Sequence, residues 1–241
     1  ADRRADGVRK AHLEHQISSG ELKGAHQAIK QLTAAVSRPK GLWKLAVAQA
    51  QSGNKAAAKD LFQLALSTAT ALPDEFDFAR SLWEIADAQI GVADFKAASS
   101  TIQKLSQHAE SFKDGLAKVA ALREAAVRAA KIGDRTAANR LFDQAIDGRK
   151  DIRPPSPLPQ INRIGALNMI AKAQAAVGYI DDALKTARLI KHSNGRREEA
   201  LYTIAVAQAK SGDIVAAVAT ASSIKHYVQY ETDALVEIAS L

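Results

Sequence analysis

The sequence predicts an all-α protein: a right-handed α-solenoid of about six helix-turn-helix repeats followed by a C-terminal helix. Three observations support this prediction. One phrase recurs six times along the 241 residues: an apolar–Ala pair, a Gln three residues later, a small turn residue four after that, and an Ala five further on. No segment alternates between apolar and polar side chains as a half-buried strand does. Finally, 47% hydrophobic residues with only 5% aromatic ones fit an Ala-rich helical core.

The copies of the phrase align on their turn residue, and successive turns are 33, 40, 40, 45 and 34 residues apart. The turn residues are Gly20, Gly53, Ala93, Gly133, Gly178 and Gly212. Because the internal register is constant while the spacing drifts, we expect a fixed two-helix unit joined by loops of variable length. Such units form a continuous core by packing on their neighbours.

Each copy contains the local signals of a helix hairpin. Before the turn, Ile204, Ala205 and Gln208 share one helical stripe. A glycine at the turn tolerates the positive φ that commonly ends a helix. Aspartate follows the turn in several copies, as Asp134 and Asp213 do, and can cap the second helix. Alanine at the inner positions allows the two helices of a hairpin to approach closely.

This pattern resembles the tetratricopeptide repeat. The clearest copy matches that family at Leu201, Ile204, Ala205, Gly212, Asp213 and Ala217. The resemblance covers nearly the whole chain and implies first helices that line an inner groove for proteins or peptides. The sequence departs from the family where Gln replaces the usual aromatic residue before the turn and where the closing Pro is missing. The Lys and Asn set with which some members clamp a C-terminal carboxylate is not reproduced, since Glu14 follows Lys10 at the matching place.

We expect one domain over residues 1–241, with a Pro-rich loop at 151–160. Prolines at this density forbid a helix and favour an extended connector. The segment is interpreted as a surface loop between repeats, with a docking motif for another protein as the alternative. The long joins near Leu72 and Gln107 predict longer second helices in their repeats.

Composition excludes several classes of site. The chain has no cysteine, which removes disulfides, zinc–thiolate sites and thiol catalysis. No stretch approaches the roughly 20 apolar residues that span a bilayer. The chain begins at Ala1 without Met, which suits a processed secreted protein or an excised piece. Both the periplasm and the cytoplasm remain open as compartments, and a bacterial origin fits either.

The net charge of +7 raises the alternative of a basic helical-repeat protein that binds RNA. Residues 1–50 carry nine Lys or Arg against four Asp or Glu, whereas residues 51–100 carry four against seven. Positive and negative blocks therefore alternate, and no continuous basic stripe for a phosphate backbone is evident. The densest basic cluster is Arg188, Lys191, His192, Arg196 and Arg197. Cations at this helix end also simply complement the helix dipole.

The candidate binding residues lie at equivalent places on the first helices. The residues ten positions before each turn are Lys10, Trp43, Trp83, Arg123, Asn168 and Tyr202. Asp87 and Lys172 lie six positions before their turns, and Lys40 and Arg80 lie thirteen before theirs. Trp, Tyr and Arg are enriched in binding hot spots because they bury much area and keep a polar group. The alternative is that each Trp packs against its neighbouring repeat.

No set of residues predicts catalysis, a cofactor or a metal. His12 and His15 lie on one helical face but lack the His-Glu-x-x-His form of a zinc hydrolase. Asp181 and Asp182 fall in the first turn of a second helix, where acidic side chains stabilise the helix N-terminus. His108, His192 and His226 are interpreted as loop or helix-end residues.

The sequence therefore predicts a non-enzymatic scaffold or adaptor that binds a protein or peptide in the groove. Trp43, Trp83, Arg123 and Tyr202 would be its anchors. The last segment, from Thr232, repeats the opening of a first helix and keeps an apolar stripe. It is interpreted as a short cap whose stripe is buried against the previous hairpin. The alternatives are that the chain was cut from a longer array, or that it stacks end to end with a partner.

Overall fold

The computed structural model describes residues 2–32, 34–153, 159–191, 195–225 and 227–241; the side chains of residues 2–6 and 159–161 are outside this description. Helices and short connections account for all the described residues, and none of these lies in a strand. The chain divides into two compact units, Ala1–Ser111 and Phe112–Leu241. A single domain over residues 1–241 stays a prediction, and the two units are described separately.

Unit 1 (Ala1–Ser111) consists of three helix hairpins. Its helices are α1 (Asp2–Ser18), α2 (Leu22–Lys30), α3 (Ser37–Gln51), α4 (Lys55–Thr70), α5 (Glu75–Gly91) and α6 (Phe95–Ala109). Each hairpin pairs an odd-numbered first helix with the second helix that follows it. The first helices α1, α3 and α5 also pack side by side and form one layer of the unit.

Unit 2 (Phe112–Leu241) repeats this arrangement and adds a helix. Its helices are α7 (Gly115–Lys131), α8 (Arg135–Gly148), α9 (Pro159–Ala176), α10 (Ile180–Arg188), α11 (Arg196–Lys210), α12 (Ile214–Ser222) and α13 (Val228–Ala239), with a 3₁₀ turn at Arg149–Asp151 after α8. The first helices α7, α9 and α11 and the added helix α13 pack in sequence. The predicted class, an all-α solenoid of helix-turn-helix repeats, is confirmed.

All six predicted turn residues have the left-handed backbone conformation, with φ between 59° at Ala93 and 89° at Gly212. In each of the six turns, the residue after the turn residue donates its backbone N–H to a backbone carbonyl. The accepting carbonyl belongs to the residue four positions before the turn residue. Asp94 N to Gln89 O, for example, is 2.9 Å. This is the Schellman ending of a helix, and it requires positive φ at the turn. Ala93 adopts it despite its Cβ.

Aspartates after the turns cap the second helices as predicted. The carboxylates of Asp134 and Asp213 accept hydrogen bonds from the N–H groups three residues later, at 2.9 and 3.0 Å. Asp94 does the same at 3.1 Å. Asn54 and Tyr179 hold the same place in other copies, but neither side chain caps its helix.

The drift in repeat spacing comes mainly from the second helices, which corrects the expectation of a fixed unit joined by variable loops. The second helices α2, α10 and α12 have nine residues each. By contrast, α4 and α6 have 16 and 15 residues, in agreement with the long joins near Leu72 and Gln107. Between the described helices, the connection after α8 is longer than the others, and residues 154–158 of its Pro-rich stretch lie outside the described residues.

Two buried polar pairs join the helices of their hairpins. Thr101 on α6 donates a 2.8 Å hydrogen bond to the side-chain oxygen of Gln89 on α5. Thr186 on α10 bonds to Gln174 on α9 in the same way, at 2.7 Å. All four side chains are buried. In these two copies the repeated Gln is therefore a packing residue, because its buried oxygen needs a donor and the Thr supplies it.

Candidate binding face

The first-helix layer of unit 1 contains a cleft of about 230 Å³ between α1, α3 and α5. Its charged lining consists of the cations Lys10, Lys40, Lys44 and Arg80 and the carboxylates Glu14 and Glu84. Leu13 and Leu32, both almost fully buried, contribute to its apolar floor. The structure thus brings together three of the predicted binding residues, Lys10, Lys40 and Arg80.

The cations outnumber the carboxylates in this cleft. Lys44 on α3 forms an ion pair with Glu14 on α1. This hydrogen bond and the charge of Lys44, together with the more distant Lys40 and Lys10, hold the pKa of Glu14 below its usual value. Arg80 bonds to Asp77 at 2.8 Å on its own helix. Four cations against two carboxylates in the lining suit an anionic group.

Both tryptophans are half-buried on the first helices of unit 1, outside the lining of the cleft. Trp83 packs edge-to-face against Phe76, with ring centroids 5.8 Å apart. The indole nitrogen of Trp43 is buried, and no acceptor among the described residues bonds to it. Trp83 therefore packs against a residue of its own helix, since Phe76 also lies on α5, and both tryptophans keep some exposure. Packing of each Trp against its neighbouring repeat stays a prediction.

In unit 2, two of the predicted residues join neighbouring first helices. Asn168 on α9 donates to Glu199 on α11 at 2.8 Å, and Lys172 on α9 forms a 2.7 Å ion pair with the same carboxylate. Burial raises the pKa of Glu199, but the hydrogen bonds from Lys172, Asn168 and Arg196 stabilise the carboxylate more strongly. The pKa of Glu199 is therefore lowered. Asn168 is only 3% exposed. This network stabilises the contact between α9 and α11.

The two remaining candidates of unit 2 also have partners within the unit. Arg123 pairs with Glu124, which Arg128 contacts from the other side. Burial alone would raise the pKa of Glu124, but the two guanidinium groups outweigh it and the pKa lies below its usual value. The Tyr202 hydroxyl on α11 donates to Glu237 on α13. That bond and burial raise the pKa of Tyr202. The role of these residues in binding a partner stays a prediction.

Sequence reasoning missed Lys44 and Glu84, which lie nine positions before their turns. The available signal was helical spacing. Lys40 lies thirteen positions before its turn and Lys44 nine positions before the same turn. Residues four apart lie on the same side of a helix, so Lys40 and Lys44 share one side of α3. The predicted binding residues ten positions before each turn lie next to this side of their helices. Of the three in unit 1, Lys10 lines the cleft and Trp43 and Trp83 do not. Asp87 lies outside the lining as well.

The other polar groups noted in the sequence form no constellation in the described residues. Within these ranges, no three His, Asp or Glu side chains come together as metal ligands. His12 and His15 are exposed, and Asp182 pairs with Lys185 at 2.8 Å. His192 and His226 lie outside the described residues. Among the helices that the structure describes, none is both long enough and apolar enough to cross a membrane.

Comparison with known proteins gives similarity of fold only. No protein-family model matches the sequence, and no curated protein matches it. The crystal structure of Ton1535 from Thermococcus onnurineus NA1 is similar over 96% of this chain and 99% of its own, with 14% identity and a TM-score of 0.51. A Podosopora anserina putative kinesin light chain with nearly identical TPR-like repeats has TM-scores of 0.46 and 0.44 in two crystal structures. These two cover 83% and 85% of this chain, and 99% and 95% of their own, at 19% and 18% identity.

Proposed function

We propose that this protein is an interaction module and that the first-helix face of unit 1 binds a partner segment carrying acidic side chains. The observation that supports the proposal is the cleft between α1, α3 and α5. Four cations and two carboxylates surround an apolar floor there. An acidic side chain would meet the cations while its aliphatic part covers the floor. Interfaces commonly combine a buried apolar centre with a polar rim in this way.

The tryptophans would anchor the partner beside the cleft. Each half-buried ring adds a large apolar surface next to the charged lining, and such rings commonly dominate binding energies. Both tryptophans of the chain lie in unit 1. Intrinsic tryptophan fluorescence would therefore report binding at this unit without a label on the protein.

The first test compares pools of short fluorescent peptides by fluorescence polarisation. One pool has two adjacent Glu residues at fixed positions among random neighbours, and the matched pool has Gln at both. Partly exposed ion pairs contribute up to about 1 kcal/mol each. Two such pairs predict roughly tenfold tighter binding of the Glu pool. Added salt should reduce this difference.

Variants locate the effect. Lys40→Glu should weaken binding of the Glu pool by about tenfold, since it replaces an attraction by a repulsion in the cleft. Lys23→Glu on α2 makes the same change in net charge at an exposed site outside the lining and should change little. Equal binding of the two pools, or equal effects of the two variants, would contradict the proposal.

Two further measurements separate the alternatives. Trp83→Ala should weaken peptide binding while the helicity measured by circular dichroism stays unchanged; loss of both would make Trp83 a core residue. Single-stranded RNA serves as the competing probe. If RNA binds more tightly than the Glu pool and Lys40→Glu removes that binding, the cleft belongs to a nucleic-acid-binding protein instead.

A further inference from the structure

The first helix α1 exposes a surface that later first helices bury. Twelve positions before the turn, the later first helices carry the small buried residues Gly41, Ser81, Ala121, Ala166 and Ala200. This position faces the preceding hairpin, since a Cβ on Gly41 would lie 3.0 Å from both Ile29 and Leu13. Val8 holds the same place in α1 and is 71% exposed. Here α1 presents an uncovered counterpart of an internal repeat contact.

Helix α13 exposes the complementary side of the same contact. It repeats the sequence of α11 34 residues later, so that Ala239 corresponds to Ala205. Ala205 is fully buried in a cluster with residues of α12 and α13. Ala239 is exposed, and the neighbouring Val236 and Leu241 are 65% and 62% exposed. In α13 the surface that a following helix covers in the other repeats is therefore apolar and open.

The two surfaces lie in regions of opposite charge. Residues 1–50 carry nine Lys or Arg against four Asp or Glu, whereas residues 201–241 carry two against four. Neighbouring first helices within the chain already use such pairs, as Glu14 with Lys44 and Lys172 with Glu199 do. Charge complementarity steers surfaces together and disfavours contacts between like ends.

We propose that copies of this chain bind head to tail, with the exposed face of α1 on one copy packing against the exposed face of α13 on another. Each copy then uses two different surfaces, so a bound pair still exposes one surface of each kind and can add further copies. The contact involves neither Lys40 nor the tryptophans, and the inference stands apart from the proposed peptide binding.

The test uses sedimentation velocity on the chain of 25.7 kDa over concentrations from about 10 μM to about 1 mM. The average mass of the wild type should rise beyond that of a dimer as the concentration rises, and salt should reduce it. Val8→Glu and Val236→Lys each place an unfavourable charge at one end of the contact. Each variant alone should stay monomeric.

The decisive sample is a mixture of the two variants. The intact α1 of Val236→Lys can still bind the intact α13 of Val8→Glu, so an equal mixture should form a dimer and stop there. Val215→Glu on α12, where the side chain is 83% exposed, is the matched control and should assemble like the wild type. A wild type that stays monomeric, a single variant that still dimerises, a mixture without dimers, or a control that loses assembly would overturn the proposal.

Discussion

Replacing Ala93 by Gly should stabilise unit 1. Ala93 is the one non-glycine residue in the described part of the chain with positive φ, at 59°. The left-handed conformation costs an L-residue about 1–2 kcal/mol because Cβ approaches the carbonyl oxygen. The side chain is exposed, so its removal loses little packing. Glycine also raises the conformational entropy of the unfolded chain, and this offsets about 0.4–1 kcal/mol of the gain in stability from relieving the left-handed strain. The net gain should be about 0.5–1 kcal/mol.

Gly53→Ala is the reverse change in the same unit. Gly53 has φ of 81°, and a Cβ there would meet no atom within 4 Å, so only the backbone conformation opposes the substitution. The variant should lose about 1 kcal/mol. Because the two tryptophans lie in unit 1, urea unfolding followed by their fluorescence measures this unit. With a urea slope of about 2 kcal/mol per molar, the midpoints should move by about 0.3–0.5 M in opposite directions. A midpoint for Ala93→Gly at or below the wild type would refute the reasoning.

Two further predictions concern unit 2. Gly115→Ala should destabilise it by about 1–3 kcal/mol, because the new Cβ would lie 2.5 Å from the backbone nitrogen of Ile152, which cannot retreat as a flexible side chain can. Gly165→Ala meets nothing within 4 Å inside α9 and should instead stabilise by up to about 1 kcal/mol, and urea unfolding followed by circular dichroism compares the two. The lowered pKa of Glu199 means that its contribution to stability is present above the usual glutamate pKa and is lost as pH falls through the lower folded value. Glu199→Gln should therefore be less stable than the wild type near neutral pH, and the two unfolding midpoints should converge in acid; a constant difference at all pH values would contradict this.

The turns were predictable from sequence because their chemistry is local. A Schellman ending needs positive φ at one residue, and glycine at five of six equivalent places indicates that need directly. The same register then locates Ala93, which no composition rule would select. The aspartate caps at Asp134 and Asp213 follow from equally local geometry, because the carboxylate reaches an N–H only three residues away.

The candidate binding face was less predictable because it depends on how helices cross. Helical periodicity separates the buried stripe from the rest of a first helix, but two sides remain next to that stripe. Which side opens into a cleft depends on the angle between α3 and α5, and side-chain spacing leaves that angle undetermined. Lys44 and Glu84 were missed for this reason. The partners of Asn168 and Lys172 were missed because Glu199 is about 30 residues away in sequence.

The buried Gln–Thr bonds bear on how such an array can be recombined. The hairpin of α7 and α8 carries Ala129 and Leu141 where two others carry a bonded Gln and Thr. Both partners of each bond belong to the same hairpin. A hairpin that is moved whole to another position of the array thus keeps both the Gln and its Thr donor. A crossover between the two helices would separate them and leave the buried Gln oxygen without its donor. For these two hairpins, recombination should tolerate a boundary on either side of the hairpin better than a boundary at its turn.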